Sequence, residues 1–273
     1  MITDAGQATA GTVPKPAGAL FVEFSDLDRV PATIVGWDVF DDVGVLRVAP
    51  SAHALVPIPL GRSASVVVGE PVAAIGSPLG NLDTLAVGIV SAVHRSIAAL
   101  TNPRFQLSDA IQTDAPIAHG SSGGPLLDAL GRAIGITAQI RTDQGGAVGI
   151  GFAVPIDSAR RSLQALLTKG IIRYAYAGVQ TEDLTPSLAR HLQLPVRHGA
   201  LVDTVTTGGP AAAAGLRGGT REEQFQGQTV TVGGDVIVAV DGRPVADAAD
   251  LVRIVTTLRP GQTTVFSLSL IHI

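Results

Sequence analysis

Between residues 20 and 155 the chain is cut into short stretches rich in Val and Ile: ALFVEF, VPATIVGW, DVGVLRV, PVAAIGSP, TLAVGIVSAV, RAIGITAQI and AVGIGFAVP. Gly, Pro, Asp or Asn separates them. Runs of this length and residue type suit strands, and their spacing points to a barrel or sandwich instead of βαβ units. With 32 Gly and 17 Pro against 7 Phe, 2 Tyr and 1 Trp, the composition supplies the tight turns such a fold needs. The first helical pattern comes at 157–168, DSARRSLQALLT. Asp157 is its expected N-cap, Leu163, Leu166 and Leu167 share a face, and Gly170 is the stop signal.

From about residue 174 the pattern becomes mixed α/β. TPSLARHLQLP reads as a short helix capped by Thr185 with Pro186 in its first turn. GALVDTVTTGGPAAAAGL is a strand leading into a helix opened by Pro210, and GDVIVAVDGRPV is a hairpin turning on Asp241-Gly242. DAADLVRIVTTLRPG is an amphipathic helix capped by Asp247 and ended at Pro260-Gly261. Between them, RGGTREEQFQGQTVTVGGD reads as an exposed polar loop. At 273 residues the chain has room for two domains.

Composition excludes several functions. A net charge of −4 without basic blocks argues against a nucleic-acid partner. The absence of cysteine removes disulfides, thiolate zinc sites and a cysteine nucleophile. No apolar run reaches the ~18 residues of a membrane-spanning helix. The six histidines are scattered, which argues against a metal site, and no cofactor is expected.

The chemistry concentrates in HGSSGGP, residues 119–125. Ser122 has the setting of a nucleophile, but a serine hydroxyl needs a base to take its proton and an acid to orient that base. The main-chain N–H groups of Gly120 and Ser122, in a loop Gly120-Ser121-Ser122, could converge on the oxyanion of a tetrahedral intermediate. One such donor is worth roughly 2.7–4 kcal/mol in comparable hydrolases. Gly123 and Gly124 would let the chain pack closely behind the serine. The competing reading is a glycine-rich turn.

The wider segment IQTDAPIAHGSSGGPLLDALGRAIGITAQI closely resembles the nucleophile region of the HtrA-type serine proteases, which pair a trypsin-like double β-barrel with a PDZ domain. DVFDDVGVLRV is similar to that family's Asp-Leu-Ala-Val-Leu segment, PVAAIGSPLGNLDTLAVGIVSAVHRS to its first second-barrel strands, and VGIGFAVPI to its last protease strand. The resemblance implies a mostly β chain in which 1–62 is an incomplete first barrel. Residues 63–168 would be the second barrel with its closing helix, and 174–273 a PDZ domain with an incomplete end. It implies peptide-bond hydrolysis of misfolded or exported proteins, recognition of peptide C-termini, a homotrimer for the full-length protein and a location in the cell envelope or outside the cell. Ser122 is then the nucleophile and Asp42 the orienting acid, with Asp41 the alternative and a solvated strand-opening acid the plainer reading.

The same resemblance exposes a gap. The family base lies upstream of the acid, whereas His53, His94, His119, His191, His198 and His272 all come after Asp42. His119, tethered three residues from Ser122, makes a poor substitute. MITDAG is similar to the residues just downstream of the family histidine, so the chain is expected to start one residue after it, and SLSLIHI resembles translated sequencing adapter. This polypeptide is therefore expected to be nearly inert, as a non-catalytic peptide-binding protein would also be.

For substrate, the strand from Gly135 to Ile140 is the expected docking edge, with Ile117, Thr137 and Ile140 as candidates for an uncharged primary pocket. Ordinary barrel core is the competing reading for the isoleucines. For the PDZ domain, YAGV (Tyr176, Ala177, Gly178, Val179) is the preferred carboxylate loop over GIGF at 149–152, with Leu251 and Val255 forming the adjoining pocket.

Overall fold

The structure is a computed structural model and describes residues 2–3, 20–77, 84–98, 106–118, 120–141 and 150–269. The chain divides into two compact units, Met1–Ile172 and Arg173–Ile273.

The first unit is almost entirely β. Strands β1 (Ile2–Thr3), β2 (Leu20–Glu23), β3 (Arg29–Asp38) and β4 (Val43–Val48) form an antiparallel sheet in the order β1-β4-β3-β2. Six more strands close a barrel: β5 (Pro71–Gly76), β6 (Thr84–Ala98), β7 (Gln106–Thr113), β8 (Pro125–Asp128), β9 (Ala133–Arg141) and β10 (Ile150–Pro155). Their order around the barrel is β10-β7-β6-β5-β8-β9. Closure removes the exposed hydrogen-bonding edges of an open sheet. Inward residues at period two build the barrel interior, among them Val72, Ala74, Val90, Ile111, Leu126 and Ala153. β7 and β8 lack the dense Val/Ile signal and are not apparent in the sequence, yet Leu107, Ala110 and Ile111 on β7 are buried.

Helix α1 (Ile156–Lys169) packs against this unit and ends at Gly170, whose φ of 66° is a left-handed cap, as its sequence predicts. Two other expectations for it fail. Asp157 is not the N-cap: Pro155 holds that position, and the Asp157 carboxylate accepts from Ser63 Oγ at 2.9 Å and Ala64 N at 3.0 Å while pairing with Arg160 at 2.8 Å. Burial pushes the Asp157 carboxyl up, but these hydrogen bonds and the guanidinium outweigh it and hold it below its ordinary value. Leu167 is 52% exposed, because the buried face runs through Ile156, Ala159, Ser162 and Leu166.

The second unit is α/β. Strands β11 (Val179–Asp183), β12 (Ala200–Val205), β15 (Val236–Val240), β16 (Arg243–Pro244) and β17 (Phe266–Ser269) make its main sheet, with β11 at one end of the order. Helix α2 (Pro186–His191) is capped by Thr185, whose hydroxyl accepts from Leu188 N at 3.2 Å, and α3 (Pro210–Ala213) opens with Pro210. Helix α4 (Ala248–Thr256) is capped by Asp247, which accepts from Asp250 N at 2.7 Å. Asp241 and Gly242, at φ 48° and 75°, make the two-residue turn between β15 and β16. The segment read as an exposed loop is instead a hairpin of β13 (Arg221–Phe225) and β14 (Gln228–Val232). Gln226 and Gly227 turn it with positive φ. Val230 and Val232 alternate inward onto Leu184, Leu188 and Leu201, so a core that the local sequence does not show holds it in place.

Candidate active site

Ser122 sits in the loop between β7 and β8, on the wall of an open cleft of about 860 Å³ shared with Gly120, Ile75, Phe24, Val48 and Leu55. The loop is held from behind. Gly123 N donates to Thr137 O at 2.7 Å, Gly124 N to Ser121 O at 3.0 Å, and Thr137 N to Gly124 O at 2.8 Å. The Thr137 hydroxyl donates to Ser121 O and, at 3.1 Å, to Gly124 O. Glycine is required at 124, where a Cβ would lie 2.0 Å from Ile75 O. Gly120 is required by its φ of 99°.

Amide use in this loop sorts the expected oxyanion donors. Ser121 N donates to Ala118 O at 2.9 Å, so in this conformation it does not serve as a donor to substrate. The amides of Gly120 and Ser122 donate to no acceptor among the described residues. The Ser122 hydroxyl donates to Ala138 O at 3.1 Å.

Asp42 lies in the turn between β3 and β4, in the left-handed region at φ 52°, and is 5% exposed. It is therefore not the solvated strand-opening acid of the plainer reading. The turn is tied down by its neighbours. Asp38 Oδ1 accepts from Phe40 N at 3.0 Å and Asp41 N at 3.3 Å, while Asp38 Oδ2 accepts from Ser162 Oγ of α1 at 2.6 Å. Asp41 faces Arg161 of the same helix at 3.6 Å. Asp38 and Ser162, absent from the sequence reading, are both buried. Only Asp38 left a sequence signal, an Asp opening a four-residue turn.

The primary-pocket candidates fare less well. Ile117 is 6% exposed and packed in the barrel interior, its Cδ1 beside Gly151. Thr137 is fully buried, with its hydroxyl committed to the nucleophile loop. Neither lines the cleft. The side chain of Ile140 lies outside the described residues, as do His119, His272 and the residues of MITDAG after Thr3. Of the described histidines in this unit, His53 bonds Asp26 at 3.0 Å and stacks on Phe24, and His94 bonds Asp109 at 2.6 Å. Neither lines the cleft.

In the second unit, Gly178 has φ 78°, its carbonyl accepts from Thr206 N at 2.9 Å, and Ala177 O accepts from Ala211 N at 3.0 Å. The amides of Ala177 and Gly178 donate to no acceptor among the described residues. Tyr176 is exposed, its hydroxyl 3.0 Å from Thr206 Oγ1. Beside this loop lies a cavity of about 350 Å³ lined by Tyr176, Ala177, Ala211, Val255, Leu258 and Phe266. Leu251, expected there, is buried in the core between sheet and helix, because it projects from α4 toward the sheet, so of the two expected pocket residues Val255 alone lines the cavity. The rival stretch Ile150–Phe152 is part of strand β10 in the barrel wall. No helix among the described residues is long and apolar enough to cross a membrane.

A glycine-rich serine loop backed by a closed barrel, followed by a sheet-and-helix module, is the architecture of a trypsin-like peptidase domain joined to a PDZ domain. Family comparison agrees: the trypsin-like peptidase domain matches residues 2–136 and the PDZ domain matches residues 175–269. The protein titled "HtrA-type protease AlgW with tripeptide" superposes at a TM-score of 0.75 with 32% identity, covering 98% of this chain and 84% of that one. "Protease Do-like 1, chloroplastic" of Arabidopsis thaliana is 37% identical over 249 residues, 91% of this chain and 54% of its own. "Probable periplasmic serine endoprotease DegP-like" of Brucella suis is 35% identical over 254 residues, 93% and 46%. The chain spans about half the length of these last two proteins. It belongs to the HtrA-type serine proteases with a C-terminal PDZ domain.

Proposed function

We propose that this chain carries the nucleophile, acid and oxyanion donors of a serine endopeptidase, with Ser122 attacking the peptide carbonyl and Asp42 orienting the base. The amides of Gly120 and Ser122 receive the developing negative charge. The observation that carries the reading is a serine hydroxyl on an open cleft, next to two amides without acceptors among the described residues, while the neighbouring amides of Ser121, Gly123 and Gly124 are engaged. Preorganised donors of this kind stabilise the transition state because they are already aimed when charge develops. The PDZ domain holds the C-terminus of a peptide at Ala177 and Gly178, whose amides have no acceptor among the described residues, and a relative solved with a tripeptide supports peptide binding. Substrates are misfolded or exported proteins, and the compartment is the cell envelope, in line with the periplasmic relative.

Catalysis by these residues needs a general base, and no histidine precedes Asp42 in the sequence. Removing the base of a comparable triad lowers turnover by about 2 × 10⁶, so the activity of Ser122 depends on an imidazole delivered to its hydroxyl. A fluorophosphonate tests the site directly: imidazole in solution, standing in for the base, should accelerate labelling of Ser122, and Ser122→Ala should abolish it. Ser122 reacting no faster than an ordinary exposed serine under these conditions would favour the second reading, a non-catalytic peptide-binding protein.

A further inference from the structure

We propose that the PDZ groove selects peptides that carry Lys or Arg at the fourth residue from the C-terminus, through Glu182 and Asp203. The inference rests on the groove's role in binding peptide C-termini and adds the class of peptide it prefers.

The groove supplies the register. β11 ends the order of its sheet, and its second edge is unpaired among the described residues. Thr206 N donates to Gly178 O before the strand, and Leu184 N donates to Gly199 O after it. Antiparallel ladders alternate hydrogen-bonded and non-bonded pairs. Counting inward from both ends, through the register shift between Gln180 and Thr181, leaves the main-chain groups of Val179, Thr181 and Asp183 facing the open edge. A peptide whose carboxylate rests on the Ala177 and Gly178 amides adds to this edge as an antiparallel strand. Its last residue then lies opposite Val179, the third from the end opposite Thr181, and the fourth opposite Glu182.

The faces are set by the same count. Val179 packs into the core shared with α4, and Asp183 accepts from Ala248 N at the start of α4. The last and third-last peptide side chains therefore point toward α4, the last of them beside the 350 Å³ cavity next to the Ala177 loop. The fourth-last points to the opposite face, directly across from Glu182. Side chains opposite one another in such a pair have Cβ atoms about 4.5–5.5 Å apart, within reach of a Lys or Arg head group.

The charge around Glu182 is negative and uncompensated among the described residues. Neither Glu182 nor Asp203 has an ion-pair partner among the described residues. The Glu182 carboxyl is pushed above its ordinary value by burial first, then by the charges of Asp203 and Asp183, and no cation offsets them. An arriving ammonium or guanidinium relieves that repulsion, whereas an acidic residue adds to it. The groove is the site, and the carboxylates only choose among its occupants.

The test is fluorescence anisotropy on the full chain with labelled hexapeptides. Each ends in Val and is otherwise alanine, with Lys, Ala or Glu fourth from the end. Opposite-charge pairs of this kind correspond to roughly fivefold at the upper end. Lys should bind up to about fivefold tighter than Ala, and Glu should bind weaker than Ala. Glu182→Gln should bring the Lys-to-Ala ratio close to one, and Asp203→Asn should lower it in part. Moving Lys to the third-last position should remove the preference, because that side chain faces α4. Equal binding of the three peptides, or a ratio unmoved by Glu182→Gln, overturns the selectivity and leaves C-terminal recognition standing. If no peptide binds, or if amidating the C-terminus changes nothing, C-terminal recognition itself fails and takes the selectivity with it.

Discussion

Among the contacts that tie the turn carrying Asp42 to helix α1 is a hydrogen bond between residues 124 positions apart, and its contribution can be measured. Asp38 and Ser162 are 3% and 2% exposed, and their oxygens lie 2.6 Å apart, the length of a charge-assisted O–H···O⁻ bond. Such a bond contributes about 1.5–3 kcal/mol, against about 0.5–1.5 for a neutral one. Ser162→Ala should therefore cost about 1.5–3 kcal/mol. Asp38→Asn keeps one oxygen for the Phe40 and Asp41 amides but loses the charge, which should cost about 1–2 kcal/mol. Once the hydroxyl is gone, the charge has less to stabilise, so the double variant should cost less than the sum, with a coupling of at least about 1 kcal/mol. Urea unfolding followed by Trp37 emission is the assay. Trp37 is the one tryptophan of the chain and adjoins Asp38 on β3, so it reports on the first unit alone. Costs that add to within about 0.3–0.5 kcal/mol, as independent sites do, would refute the claim that this bond anchors the turn.

Three other outcomes are expected from the same structure. Gly124→Ala places a methyl 2.0 Å from Ile75 O, a backbone atom that cannot yield, and should abolish cooperative unfolding of the first unit. Gly131→Ala, at φ 71° with nothing within 4 Å, should cost only about 1–2 kcal/mol of backbone strain. The hydrogen bond between His53 and Asp26 raises the histidine above 6.5 and lowers the aspartate below 3.8. The His53 contribution is complete below 6.5 and lost as pH climbs through its raised folded value. The Asp26 contribution is complete above 3.8 and lost as pH falls through its depressed folded value. An NMR titration should place the His53 midpoint above 6.5 and return it toward 6.5 in Asp26→Asn; a midpoint unmoved by that change would show that Asp26 is not the cause.

Much of the candidate site was legible because its parts are contiguous. The Gly-Ser-Ser-Gly-Gly-Pro loop, the Thr185 and Asp247 caps and the Asp241-Gly242 turn each depend on dihedral preferences and hydrogen bonds within a few residues. Such constraints are local, and the sequence states them directly. The resemblance to HtrA-type proteases added the order in which these parts are strung together.

Tertiary structure decided whatever depends on distant neighbours. Thr137 and Ile117 read as pocket residues because both suit an uncharged wall, but the closed barrel turns them inward, one onto the nucleophile loop and one into the core. Leu251 and Val255 share a helix, yet the sheet covers the first and leaves the second on the cavity. The 221–232 hairpin looked polar until Val230 and Val232 met a leucine cluster assembled from α2 and β12. Sequence by itself determined which residues can turn, cap or attack. Burial is a property of the surroundings, set by contacts across tens to more than a hundred positions, so only the folded chain determined which of them face solvent, substrate or one another.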